Sequence, residues 1–156
     1  SATTLAITLS GLQSYRFGRQ VTLPFPYGDY LPVSPFKYIL ENKNRNLHTL
    51  VLLDLDPTGL GVASPVHMSP AEAGGILLKM VEKYSVEYDS ELGAIEDVSD
   101  WPVIVLSDLG TRGSRVCSTN LGRISNVKGG RIHCLILPSS MDDLEQSSFD
   151  EMYIVD

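Results

Sequence analysis

The chain has 156 residues, enough for one domain of ordinary size and too few for two full ones. Its 43% hydrophobic content supplies a core able to bury roughly 68–70% of the unfolded surface, which excludes disorder and collagen-like order. The formal charge is −7, no apolar run approaches the ~18 residues of a membrane span, and the start SATTLAITLS lacks the basic flank of a secretory signal, so a soluble cytoplasmic chain is expected.

Charge is segregated along the chain. Six of the 19 acids (Asp142, Asp143, Glu145, Asp150, Glu151, Asp156) follow the last basic residue, Arg131, and make residues 142–156 an acidic C-terminal segment. Seven acids fall between Glu87 and Asp108 with no base among them; Arg112, Arg115, Arg123, Lys128 and Arg131 then follow with no acid among them. Five scattered bases with little aromatic interleaving are poor support for the phosphate-neutralising surface that nucleic-acid binding needs. Cys117 and Cys134 lie outside any CxxC pattern, and the three histidines (His48, His67, His133) are dispersed, so buried free thiols are expected and no metal ligand set is assigned.

In chain order, residues 1–12 carry small and aliphatic side chains dense enough for a buried helix, with Gly11 at its end. Four prolines in TLPFPYGDYLPVSP (Pro24, Pro26, Pro32, Pro35) each fix φ and remove a donor, which predicts an extended connector. Ser34 followed by Pro35 reads as an N-cap and first helical position, opening a helix that ends near Asn46. LHTLVLLDLD (47–56) is a continuous apolar run of strand length, expected to be the central strand and covered on both faces. Pro57-Thr-Gly-Leu-Gly predicts a turn, and Ser69 with Glu72 has capping-box spacing before a helix over 69–84.

Residues 86–100 are acidic and match no single element. VIVLSD (103–108) reads as a second buried strand, 110–114 as a turn, 115–119 as a short strand, and 121–127 as helical or irregular. IHCLILP (132–138) is a third apolar strand closed by proline, and 142–149 a last helix. Helices alternating with strands apolar on both faces predict an α/β fold with a layered mixed sheet flanked by helices.

The chemistry legible in these residues is sparse. Asp54 and Asp56 end a strand, where open α/β sheets collect ligands, but strand-end aspartates also cap turns and no third ligand has recognisable spacing. Asp108-Leu-Gly-Thr-Arg-Gly-Ser follows a strand and is glycine-spaced, yet lacks the lysine ending of a phosphate loop and the full GxGxxG fingerprint. His133 at the mouth of an apolar strand reads first as a histidine satisfied by backbone. No GxSxG or HExxH motif occurs, so no catalytic residue is assigned.

The order of segments carries more. Gly11-Leu12, Tyr15 to Gly18, Leu47 to Leu50, Leu53-Asp54 and Met68 to Ala73 match, in sequence and spacing, a pattern that resembles the later part of the diphthine synthase family. That family is similar to the tetrapyrrole methylases, whose two α/β domains hold S-adenosylmethionine between them. The resemblance implies a tetrapyrrole-methylase-like C-terminal domain: residues 1–18 would be an interdomain crossing helix, 19–141 the core and 142–156 the acidic segment, with the domain carrying the cofactor's glycine-rich loop absent. A chain that starts at Ser1 without an initiator methionine, in what reads as mid-helix, is expected to be part of something longer.

The same resemblance implies a methyltransferase that modifies a histidine derivative on translation elongation factor two in diphthamide synthesis, and a homodimer. By position it places cofactor contacts at Leu53, Leu109 and His133, and at Ala2 and Thr3, where the family has Ser-Ile. A non-catalytic binding or dimerisation domain and a precorrin-type tetrapyrrole methyltransferase are the alternatives.

Overall fold

The computed structural model describes residues 1–54, 66–88 and 98–156. Helix α1 (Ala2–Leu9) starts at Ser1, whose hydroxyl accepts from the Thr4 N–H, and ends at Ser10 because Gly11 turns the chain at φ 71°. Gly11 is also where the C-terminal helix α4 (Asp143–Glu151) crosses: a Cβ there would lie 2.6 Å from that of Ser148.

Strand β1 (Val21–Leu23) precedes the proline-rich connector. Helix α2 (Ser34–Asn44) follows it, with Val33 rather than Ser34 at the cap and no side-chain cap bond. The expected Ser34 cap is thus corrected: the helix begins one residue earlier, and Pro35 still falls in the first turn, where its missing N–H would have had no intrahelical partner. Strand β2 (Thr49–Leu53) occupies the middle of the 47–56 run; Asp56 and the 57–61 turn lie outside the described residues. Helix α3 (Pro70–Glu87) carries the full reciprocal capping box of Ser69 and Glu72 and runs a turn beyond its expected end. Strands β3 (Pro102–Ser107), β4 (Arg115–Asn120) and β5 (His133–Leu137), helix α4 (Asp143–Glu151) and the two-residue strand β6 (Tyr153–Ile154) complete the helices and strands among the described residues, apart from short 3-10 turns. Among the described residues no helix is long and apolar enough to cross a membrane.

The six strands form one sheet in the order β1-β2-β5-β3-β4-β6. Strand β2, expected at the centre, is second from the edge; β5 and β3 hold the middle. Its continuous hydrophobicity arises from layers above and below the sheet, which say nothing about how many strands lie to each side. Pairing is parallel at the two ends, β1 with β2 and β4 with β6, and antiparallel between. Side chains alternate across the sheet. Val51, Val103, Val105, Leu135 and Leu137 pack with Phe36 and Ile39 of α2 and with Leu77 and Met80 of α3. Leu50, Ile104, Leu106 and Ile136 face the other way, onto Ala6 of α1, Leu12 and Phe149 of α4.

One buried carboxylate ties the second layer to the sheet. Glu145, at 0% exposure, accepts from the Asp142 N–H (3.0 Å) and the Arg16 guanidinium on Oε1, and from the Gln13 N–H (3.0 Å) and His48 Nε2 (2.7 Å) on Oε2. His48 Nδ1 accepts from the Ser139 N–H at 3.0 Å, so the ring is the neutral Nε2–H tautomer. Burial would raise the Glu145 carboxyl, but the Gln13 and Asp142 amides and the His48 ring outweigh it and hold it down to about 2. Burial likewise lowers His48, against the pull of Glu145.

Both shifts have the same sign: the unfolded chain binds protons that the folded one refuses. Stability is therefore expected to fall as pH drops below the ordinary histidine value of 6.5, and further from the carboxylate value of 4.5 toward about 2, in acid titrations followed by circular dichroism. Glu145→Ala, which strands buried donors, is expected to cost roughly 3–5 kcal/mol in urea melts and to flatten the lower part of that profile. Two adjacent glycines of α3 make a second test. A Cβ at Gly74 would lie 2.3 Å from Cγ2 of Ile124, whereas nothing lies within 4 Å at Gly75. Gly75→Ala is expected to stabilise by about 1 kcal/mol and Gly74→Ala to destabilise, despite identical helix propensity.

Candidate functional site

Strand direction builds the site. Strand β5 lies between β2 and β3 and runs antiparallel to both, so the C-terminal ends of β2 and β3 and the N-terminal end of β5 meet at one edge of the sheet. In register, Cys134 stands opposite both Leu52 and Leu106, and His133 opposite Ser107. Leu53, Leu109 and His133, dispersed over some eighty residues of sequence, therefore arrive together. Helix α1 lies across the same edge.

The result is a groove of about 250 Å³. One wall is the start of α1, with Ala2, Thr3 and Ala6; the floor is Leu52, Leu106 and Cys134; the far rim is Leu53, Leu109, Ile132 and His133. All five residues singled out from the sequence, Ala2, Thr3, Leu53, Leu109 and His133, line it. The surface is mostly aliphatic, with the Thr3 hydroxyl and the backbone of the strand ends as its polar groups, the composition of sites that hold a flat apolar group and fix it by a few polar contacts. A second hollow, about 320 Å³, opens beside Arg115, Lys128 and Tyr153 and contains none of the five.

The rim is held by Asp108. Its backbone adopts φ 52°, its N–H donates to the Ile132 carbonyl (2.8 Å), and its carboxylate accepts from the Arg131 N–H (3.1 Å) and the Ile132 N–H (2.9 Å). The Ile132 amide, above all, draws the Asp108 carboxyl below its usual value. The clamp locks the loop after β3 to the entrance of β5, placing Leu109 beside Ile132 and His133.

His133 is buried; its Nδ1 is paired with the Ser107 hydroxyl at 2.7 Å, and the ring also hydrogen-bonds the Gly130 backbone, as its sequence position suggests. Burial pushes the imidazole down; Asp108 and the Gly130 carbonyl oppose this, while Arg115 and His67 add to it. Burial also raises the Cys134 thiol to about 11, which leaves it an un-ionised part of the floor. Asp54 is exposed just past β2, and its N–H donates to the Leu23 carbonyl. Among the described residues no three His, Cys, Asp or Glu side chains form a metal-holding group. Ser107, Ile132 and Gly130 went unnoticed in the sequence because they carry no motif; their importance comes from strand register alone.

The architecture is the mixed α/β arrangement of the tetrapyrrole-methylase fold, as seen in solved diphthine synthase structures. The chain matches the crystal structure of a protein assigned as a diphthine synthase from Entamoeba histolytica with a TM-score of 0.80 and 26% identity, covering 98% of this chain and 57% of that one. A conserved hypothetical protein from Aeropyrum pernix matches at TM-score 0.78 and 27% identity, over 94% of this chain and 48% of that one. No protein-family profile matches.

In sequence the chain resembles the diphthine synthases over nearly its whole length. It is 30% identical over 150 residues to that of Methanocorpusculum labreanum, covering 94% of this chain and 52% of the relative. To that of Methanosphaera stadtmanae it is 32% identical over 152 residues, covering 95% and 52% respectively. The chain spans about half the length of the curated relatives it matches.

Asp108→Ala, which removes the acceptor for two backbone donors and leaves a β-carbon at positive φ, is expected to lower stability by about 1–2 kcal/mol. Asp108→Asn, which tolerates that backbone and keeps one acceptor oxygen, is expected to lose less than half as much, read from paired denaturation midpoints.

Proposed function

We propose that this chain is the C-terminal part of an S-adenosylmethionine-dependent methyltransferase of the diphthine synthase kind, and that the α1 groove is its half of the cofactor cleft. The observation that supports this reading is the convergence of Ala2, Thr3, Leu53, Leu109 and His133 on one groove, at the end of the sheet where strand termini collect. The donor set fits the group: leucines 52 and 109 are suited to an adenine face, while backbone at the end of β2 and the start of β5 and the Thr3 hydroxyl offer polar contacts. Bound there, the cofactor supplies a methyl group already activated on its sulfonium, so the protein needs no dedicated acid or base.

What these residues contribute is placement. The aliphatic rim excludes water, and the Asp108 clamp and the Glu145 cluster keep the two walls of the groove at a set distance. The acceptor in this reading is the modified histidine of translation elongation factor two, methylated during diphthamide synthesis by a cytoplasmic homodimer, with the opposite wall of the cleft supplied by a preceding α/β domain.

Titration of S-adenosylhomocysteine into the protein, with and without the polypeptide that precedes Ser1, is the test. Binding is expected in the longer form, and Leu109→Trp, which fills the rim, is expected to weaken it about tenfold or more while the circular dichroism spectrum is retained. Absence of binding, or affinity indifferent to Leu109→Trp, contradicts the assignment.

A further inference from the structure

We infer that the loops forming the rim of the groove carry a docking surface for an acidic stretch of the acceptor protein, built from Arg112, Arg115, Lys128 and Arg131. Leu109 of the groove lies three residues before Arg112 in the loop after β3, and Ile132 of the groove directly follows Arg131 in the loop before β5. Strand β4 is antiparallel to β3, so its first residue, Arg115, stands opposite Ser107 at the same edge of the sheet. Bases that are scattered in sequence are thus gathered beside the groove mouth. No Asp or Glu occurs between Asp108 and Asp142. Arg112, Lys128 and Arg131 are exposed, and among the described residues none of the four side chains forms an ion pair. The carboxylate of Asp108 is engaged by the Arg131 and Ile132 N–H groups, and that of Asp156 lies 3.7 Å from Arg123, the remaining base of this run. The strip is left net positive.

Arg115 adds a recess to the strip. It is partly buried, its guanidinium makes one hydrogen bond, from Nη2 to the Gly129 carbonyl at 3.2 Å, and with Lys128 and Tyr153 it lines the hollow of about 320 Å³. A guanidinium with N–H groups to spare in a hollow of that size suits a carboxylate side chain. The partner's charge follows from contrast with the rest of the chain. At −7 overall, the chain repels an acidic protein over most of its surface and attracts it at this strip, which brings the partner in with the groove mouth beside it. A nucleic-acid strand fits less well, because the Asp108 and Asp156 carboxylates flank the strip and no run of stacking rings accompanies it. That the acidic stretch belongs to the molecule receiving the methyl group rests on the methyltransferase reading above; the preference of the strip for acidic chains does not.

A hexaglutamate peptide added to the 15N-labelled chain is expected to shift the amide signals of Arg112, Lys128, Arg131 and their neighbours, an effect lost at about 0.5 M salt and absent with hexaglutamine. In methyl transfer to the acceptor protein by the longer form, the triple variant Arg112→Gln, Lys128→Gln, Arg131→Gln is expected to raise KM for the acceptor about tenfold, with kcat within about twofold and affinity for S-adenosylhomocysteine unchanged. These three side chains are exposed and none lines the groove, so the fold is expected to be retained, as circular dichroism will show. Peptide shifts that map elsewhere or persist in the triple variant, or a single-stranded oligodeoxynucleotide of equal charge that binds more tightly than the peptide, overturn the inference. So does an acceptor KM indifferent to the triple substitution. Peptide shifts at the strip, together with no methyl transfer by the longer form, support the docking surface and count against the methyltransferase reading instead.

Discussion

The carboxylate of Glu145 is the constraint on which the arrangement of this domain depends. It sits at the end of the sheet opposite the groove, where β2 begins and β5 ends, and gathers the segment after α1, the histidine before β2 and the first turn of α4 around two oxygens. Four donors in a dry site leave the carboxylate satisfied and the connected segments without freedom to shift. Because α1 is only eight residues long, fixing its exit at Ser10 to Phe17 also fixes where its first turn lies, and that turn is a wall of the groove.

The two ends of the sheet thus have opposite characters. One is polar, saturated and closed; the other is aliphatic, concave and open, with the Asp108 loop as its rim. A site built on strand ends braced by hydrogen-bonded loops is held more tightly than one carried by loops alone, and at this end β3 and β5 are further tied by the Ser107–His133 hydrogen bond. Buried polar groups here serve as fasteners between elements, and none of those described is left unpaired.

Much of the layered fold was legible in the chain because its signals are local. Apolar runs at 49–53, 103–107 and 133–137 became strands, and the Ser69/Glu72 spacing became a capping box. Strands β1 and β6 escaped notice since runs of three and two residues carry no periodicity, and each exists only because a longer neighbour offers its edge. The acidic character of residues 142–156 hid Glu145, whose burial follows from partners far away in sequence and not from its own neighbours.

By itself the sequence determined the type and placement of the longer helices and strands, the two-sided burial of the sheet and, through segment order, a likeness to diphthine synthases. Strand order, the convergence of Leu53, Leu109 and His133, and the pairing of Ser107 with His133 were decided only by tertiary structure. Register and strand direction are long-range properties: which termini share an edge depends on pairing between segments many residues apart, and no local pattern encodes it.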